Sequence, residues 1–382
     1  MEDDSLMSTT NSDAPETSID YYQARIERAQ HLLQAEGIDW LLVGPSADLI
    51  YLTGFDAHLS ERLNLLIVPA VGSPAFVVPT LESPLVGLVG ELASLHAWDD
   101  HENPVALVKS IIGTATDKKI AVGNQLWTAF LLRIQSELPG GNWIESVPVL
   151  RSLRMQKDDL EFAHLSQAAT RTDDAWEEFI LAGPISGLTE TEALDRLRGL
   201  TEKRGVKNVW GICASGPNSA SPHHATGDRV IQTGDAVIFD WGGRYEDYFS
   251  DVTRTVHIGT PSEEFVTVYE IVRQANTATL DAVRPGVTLE SLDRAARGLI
   301  AKAGYGKAFL HRVGHGLGLE VHEEPYLVEG NTLPLEIGMV FSDEPGIYLE
   351  GKFGVRIEDS VICTADGGKR LNEATRDLIL ME

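Results

Sequence analysis

From residue 19 onward the chain alternates between helix-period and strand-period patches of apolar residues. YYQARIERAQHLLQAEGID places Ile26, Ala29, Leu32 and Leu33 along one side, which predicts a helix ending near Gly37. WLLVGP is a short unbroken apolar run of the kind that forms a buried strand. DLIYLTGF follows, and then LNLLIVPAVGSPAFVVP, which reads as a hairpin turning at Gly72, Ser73 and Pro74. A helix-like segment after Ser83 and short strands near Lys119–Val122 and Glu145–Pro148 continue the alternation. Such alternation predicts an α/β domain over residues 19–150. Ahead of it, residues 1–18 are acidic and polar, the composition of a disordered tail.

The pattern changes at VPVLRSLRMQKDDLEFAHLSQAATRTDDAWEEFILAG, where a strand-like piece passes into a long helix. Leu160, Phe162, Ala163, Leu165 and Ala168 recur at helical spacing there. Residues 151–382 then read as an α+β domain, with helices near 189–204, 262–283 and 288–303. Between the helices lie two strand pairs, AVIFDWGGRYEDYFSDVTRTVHIG and GMVFSDEPGIYLEGKFGVRIEDSVICT. Each reads as an apolar strand, a polar turn and a second strand, and each carries two candidate acids. That echo predicts two related halves facing each other.

Length and composition support this division. A chain of 382 residues with 43% hydrophobic content exceeds one ordinary core and is rich enough for two. A formal net charge of −26 argues against nucleic acid as a partner, because phosphate binding needs basic surface. No apolar run approaches a membrane span, and the first residues lack the basic start and apolar stretch of a signal peptide. Two cysteines without a spacing motif fit a reducing, cytoplasmic compartment.

The chemistry concentrates in the last 150 residues. Asp240 closes the apolar run AVIFD, and Asp251 follows 11 residues later in SDVTRT. Either acid alone could cap a turn or pair with a lysine. At the open end of a hairpin, however, two carboxylates repel until a cation relieves them. His315 sits in HRVGHGLGLEVHEEP, where His311, His315 and His322 share a Gly-rich loop. HExxH is absent and cysteines are too few for a zinc finger. Glu344 precedes a Pro-Gly turn in SDEPGIY, and Glu358 lies in GVRIED two positions after Arg356. A pairing with Arg356 is the simplest structural role for Glu358. Alternation puts these two on one face, and puts Asp343 and Asp359 on the face opposite their neighbours. Four carboxylates and one imidazole suit a pair of hard or borderline divalent ions, Mn²⁺, Co²⁺ or Zn²⁺, better than one structural zinc.

Taken together, these segments resemble the metallopeptidase family of methionine aminopeptidases, Xaa-Pro aminopeptidases and prolidases, which share the pita-bread (creatinase/aminopeptidase-like) fold. The pair of aspartates with ten residues between them, the HGLG loop, EPGIY and GVRIED occur in the family's order and spacing across the carboxy-terminal half. The resemblance implies that Asp240 and Asp251 hold one metal and His315 and Glu344 the other, with Asp251 and Glu358 bridging. It further implies a water between the metals attacking the scissile carbonyl, with Glu344 as general base. His223 in SGPNSASPHH matches a substrate-facing histidine, His224 matches none and is left as structural, and His322 matches the histidine that bonds the substrate carbonyl. His311 matches a substrate-side histidine, and Tyr348 and Arg356 resemble an outer relay.

The amino-terminal domain narrows the resemblance to Xaa-Pro dipeptidases and Xaa-Pro aminopeptidases, because methionine aminopeptidases usually lack one. SADLIYLTGF looks like the segment that leans over the partner's site in a homodimer, which would bring Asp48 there; a local turn cap is the alternative for Asp48. Arg62 in HLSERL is a candidate grip for a substrate carboxylate. The reading is therefore metal-dependent hydrolysis of Xaa-Pro dipeptides, resembling compact bacterial-type dipeptidases through PHH, HEEPY and a short final loop. Action on longer peptides, as an Xaa-Pro aminopeptidase, is the alternative. A metal-free C–N hydrolase of the creatinase type, or a non-catalytic binding relative, would not need all five ligands.

Overall fold

The computed structural model describes residues 18–382, so the tail expected over 1–18 lies outside the described residues except for Ser18. The amino-terminal half opens with α1 (Ile19–Ala35), β1 (Trp40–Val43), α2 (Ala47–Thr53), β2 (Leu65–Pro69) and β3 (Ala75–Pro79). It continues through α3 (Val89–Leu92), β4 (Ser94–Trp98), α4 (Pro104–Ile112), β5 (Lys119–Val122), α5 (Thr128–Glu137) and β6 (Asn142–Glu145). The six strands form one mixed sheet in the order β4-β3-β2-β1-β5-β6. As its spacing predicts, α1 buries Ile26, Ala29 and Leu33 against β1 and α2. The hairpin is β2–β3, with Leu65 opposite Val77. In α2, Ser46 accepts the Leu49 N–H and Gly54 ends the helix at φ 70°. A side chain at Gly54 would also sit 2.5 Å from the Tyr22 hydroxyl.

The boundary differs from its expected form. The strand expected at 145–148 is β6, which stops at Glu145, and the strand-like piece after it is a helix, α6 (Val147–Met155). Pro148 explains both, since proline suits the first turn of a helix and cannot donate within a sheet. Val149, Leu150 and Leu153 then bury at helical spacing. The long helix α7 (Asp159–Leu181) starts from a capping box of Asp158 and Glu161. Arg25, 2% exposed, reaches from α1 to both of these carboxylates and so ties the amino-terminal half to the start of α7.

The carboxy-terminal half adds α8 (Glu190–Glu202), β7 (Lys207–Ser215), β8 (Ala236–Tyr245), β9 (Tyr248–Ile258), α9 (Glu263–Ala282) and α10 (Leu289–Lys302). These helices match the expected 189–204, 262–283 and 288–303 to within two residues at each end. After them come β10 (Gly314–Gly316), β11 (Glu323–Leu327), β12 (Val340–Asp343), β13 (Gly346–Leu349), β14 (Phe353–Arg356), β15 (Asp359–Thr364), β16 (Gly367–Arg370) and β17 (Ile379–Met381). One sheet runs β17-β9-β8-β7 and another β11-β10-β12-β15-β16, with β13 and β14 as a separate pair.

Each large sheet has its own helical cover. Trp176 and Phe179 of α7 and Leu194 and Leu197 of α8 pack on Phe239 and Trp241 of β8. Phe265 and Val268 of α9 and Leu292 and Ala296 of α10 share a core with Phe341 and Val361. Two helix-covered sheets therefore face each other, as the echo between the strand pairs predicts. The first pair is a simple hairpin closed by Glu246 and Asp247, both at positive φ, the conformation a two-residue hairpin turn requires. The second pair is four strands rather than two: β12 pairs with β15, and β13 with β14. Pro345 interrupts the first strand, because its missing N–H cannot continue the ladder.

Candidate metal centre and active site

The five candidate ligands meet where the two sheets touch. Asp240 does not end its strand as expected, because β8 runs on to Tyr245. Asp240 is opposite Thr253, and Asp251 is opposite Gly242. That offset of two residues keeps both aspartates on one face of the hairpin. Glu358 arrives from the other sheet through an isolated bridge to Thr253, whose hydroxyl donates to Glu358 Oε2 at 2.6 Å. His315 occupies the middle of β10 and donates its N–H to Ser342 Oγ. Glu344 follows β12, where its N–H bonds the Val313 carbonyl. His315 Nε2 then stands 3.3 Å from Glu344 Oε1 and 3.6 Å from Asp251 Oδ2. Ligand atoms of Asp251, His315 and Glu358 lie within 4.8 Å of one another. All five side chains line one cavity of about 610 Å³, together with His223, His311, His322 and Arg356.

Arg356 orders one wall of this cavity. Its Nη2 donates to Asp240 Oδ2 at 2.6 Å, its Nη1 to the Tyr348 hydroxyl at 2.8 Å, and its Nε to Thr253 Oγ1. The guanidinium therefore pairs with Asp240, and not with Glu358 as the simplest reading of GVRIED would have it. His311 Nδ1 donates to the Arg312 carbonyl, so the neutral ring accepts at Nε2 from Tyr348, 2.8 Å away. Asp240, Arg356, Tyr348 and His311 thus form one chain of hydrogen bonds.

The electrostatics fit a bound cation. Burial pushes the Asp251 and Glu358 carboxyls well above their ordinary range, and repulsion among the four carboxylates adds to it. Asp240 also rises through burial, with Arg356 opposing. Glu344 is the exception: burial raises it, but the hydrogen bond and charge of His315, with His311 and Arg356, bring it to about 2. Burial, reinforced by His315, lowers His322 to about 4. Asp240 Oδ1 and Asp251 Oδ1 are buried without a hydrogen-bond partner. Two orphaned carboxylate oxygens beside a cavity with an imidazole and two more carboxylates have the donor chemistry that a divalent cation favours.

Arg62 is not brought to this cavity, and Asp48 is expected only over a partner's. Arg62 donates to both oxygens of Asp100 and to Glu61 at the surface of the amino-terminal domain. Those nearby acids hold its fork, and it is not among the residues lining the cavity. Asp48, in the first turn of α2, accepts from Arg154 at 2.7 Å. Arg154 also pairs with Glu320 and Glu323, and this cluster lines a second cavity of about 220 Å³ that shares His322 with the first. Asp48 is thus an ion-pair partner within its own chain, neither a turn cap nor a residue of this chain's site. His224, left as structural, bonds the fully buried Glu190.

Other contributors were not anticipated. Trp210 and Ile212 line the cavity from β7, and Arg312 lines it beside His311. The VGHG sequence around His315 carries a close-approach signal that explains part of the geometry. A Cβ on Gly314 would lie 1.8 Å from the Ser342 carbonyl oxygen. Gly314→Ala is expected to force β10 from β12, separate His315 from Glu344 and destabilise the fold by at least ~1–3 kcal/mol. Urea denaturation with an activity assay checks this, and an unchanged midpoint with full activity would contradict it.

A helix-covered pair of sheets enclosing carboxylates and a histidine at their seam defines a hydrolase of the metal-dependent pita-bread class. Residues 163–365 match Metallopeptidase family M24, and residues 25–156 match the Creatinase/Prolidase N-terminal domain. The chain belongs to family M24. It is 39% identical over 370 residues to the probable dipeptidase PepE of Mycobacterium tuberculosis, covering 94% of this chain and 96% of that one. It is 33% identical over 367 residues to the Xaa-Pro dipeptidase of Lactobacillus delbrueckii subsp. lactis, covering 92% and 98%. Among solved structures, recombinant prolidase from Thermococcus sibiricus superposes with a TM-score of 0.90 at 38% identity, covering 96% of this chain and 100% of that one.

Proposed function

We propose that the protein hydrolyses the Xaa-Pro bond of dipeptides, using two divalent metal ions held by Asp240, Asp251, His315, Glu344 and Glu358. The observation that carries this reading is the convergence of those five side chains on one cavity, with two buried carboxylate oxygens left unpartnered. Its kinship with Xaa-Pro dipeptidases points to the same substrates. Divalent ions bound there would acidify water and polarise the scissile carbonyl.

The chain's own residues do the rest. Arg356 and Thr253 fix the orientations of Asp240 and Glu358. Glu344, ionised, accepts the proton of the attacking water. His322 and His223 face the cavity, where a ring N–H can bond the carbonyl oxygen as it gains charge. Tyr348, itself bonded to His311, holds Arg356, and His311 lines the cavity wall.

Manganese, a homodimer and a cytoplasmic location complete the proposal. The carboxylate-rich donor set favours a hard or borderline ion. Asp48 would act on a partner's site only in such a dimer. Two buried free cysteines suit a reducing compartment. Among the described residues no helix is long and apolar enough to cross a membrane.

The deciding experiment is hydrolysis of Ala-Pro, Ala-Pro-Ala and Ala-Ala by chelator-treated protein, before and after Mn²⁺ is restored. Ala-Pro alone is expected to be cleaved, and only with metal. Cleavage of Ala-Pro-Ala would move the protein to the Xaa-Pro aminopeptidases, and no cleavage under either condition would overturn the peptidase reading.

A further inference from the structure

A dipeptide ends in a carboxylate only one residue, about 3.8 Å, beyond the scissile bond. The two divalent ions proposed for this cavity would offset its four carboxylates, so the metal centre leaves no net charge to read that terminal group. Selectivity for dipeptides therefore needs a cation whose donors are not already spent.

Partner accounting around the cavity leaves one. Arg356 has its Nε and both terminal nitrogens committed to Thr253, Tyr348, Pro222 and Asp240. Arg154, in the adjoining cavity, is taken by Asp48, Glu320 and Glu323. Arg151 is turned to Glu324 at 3.9 Å. Arg62 is held at the surface by Asp100 and Glu61. Arg312 lines the catalytic cavity and is half-buried, yet its guanidinium makes no hydrogen bond or ion pair among the described residues. Its Cζ sits over the face of Tyr326, 4.3 Å from the ring centroid.

The placement is not accidental to the fold. Tyr326 stands on β11 directly opposite His315 on β10, so the platform under Arg312 is registered to a proposed metal ligand. Stacking holds the plane of the guanidinium while leaving its edge, with five N–H donors, open. A fork held flat with its edge free matches a carboxylate in two parallel hydrogen bonds.

We propose that Arg312, stacked on Tyr326, grips the terminal carboxylate of the substrate and so makes this peptidase select dipeptides. The proposal rests on the dipeptidase reading and adds to it the residue that enforces it. A longer peptide has a neutral amide at that position and leaves the half-buried fork without its ion pair, which lowers its binding relative to a dipeptide.

The test compares metal-loaded wild type, Arg312→Met and Arg312→Lys on Ala-Pro and on Ala-Pro amide, with proline and prolinamide as competitive inhibitors. For the wild type, the carboxylate substrate and proline are expected to be strongly preferred. Arg312→Met should raise KM for Ala-Pro and weaken inhibition by proline about 10- to 100-fold, while Ala-Pro amide and prolinamide change little. Arg312→Lys, charged but without the fork, should fall between. A melting temperature and metal content equal to those of the wild type show that the variant is folded. If Arg312→Met keeps the full preference for carboxylate over amide, the grip lies elsewhere and the proposal fails while the dipeptidase reading stands. If the wild type itself shows no preference for the carboxylate, the dipeptidase reading fails first.

Discussion

Glu358→Gln is expected to abolish peptide hydrolysis while leaving the metal-free protein at least as stable as the wild type. Glu358 is 2% exposed and shares its space with Asp251, His315 and Asp240. Without metal, its charge is buried against other carboxylates, so the neutral amide removes a repulsion. The amide oxygen can still accept from the Thr253 hydroxyl, so the bridge between the two sheets survives. With metal, the loss is of a proposed direct ligand. Removing even an outer partner of a ligand typically costs about 10–100-fold, so turnover should fall by more than that. Bound metal per chain, turnover of Ala-Pro and the melting temperature after chelation check the three parts. A variant that keeps wild-type turnover and metal content would remove Glu358 from the site.

How much of this was legible in the sequence depends on what each feature encodes. AVIFD and SDVTRT read as paired strands because an apolar run, a polar turn and a β-branched return follow one another, and β8 and β9 pair from Ala236 opposite His257 to Tyr245 opposite Tyr248. The position of Asp240 within that hairpin was not legible, because WGGRY after it lacks the apolar alternation that marks a strand. The second pair looked like the first, but Pro345 folds it into four strands. Val147–Met155 looked strand-like from its β-branched start, while its proline and its buried positions make it a helix.

Within the site, the ligand types and their segments could be read, since carboxylates beside turns and a histidine among glycines are local patterns. Which arginine stays unpaired could not. Arg62 and Arg312 are equally plain in the sequence, and only the positions of Asp100 and Glu61 show that the first is occupied. Alternation does put Asp359 on the face opposite Glu358, but that face is not empty. It is filled by Arg254, which the sequence offered no reason to single out.

Arg254→Met should be among the most destabilising single changes in the molecule. Arg254 is 1% exposed on β9 and pairs with the fully buried Asp359 at 2.7 Å. It also donates to the carbonyls of Thr253, Glu358, Ala374 and Thr375, joining β9, the Glu358 turn and the carboxy-terminal segment. Breaking a buried pair from one side leaves an uncompensated charge, a loss of roughly 3–5 kcal/mol. Arg370 and Arg376 stand 3.7 and 3.9 Å from the second Asp359 oxygen and would recover part of it. Because the Glu358 carbonyl is one of the released groups, turnover should fall as well, although Arg254 contacts no substrate.

The double variant Arg254→Met with Asp359→Leu separates the two effects. Replacing both charges removes the stranded carboxylate, so stability should return towards the wild type, as apolar replacements of buried ion pairs often achieve. Turnover should stay low, because nothing restores the bonds to the Glu358 and Thr253 carbonyls. Urea denaturation and Ala-Pro hydrolysis on the wild type and the two variants measure this. If activity returned with stability, Arg254 would serve the fold alone; if stability failed to return, the released carbonyls and not the stranded Asp359 would carry the loss.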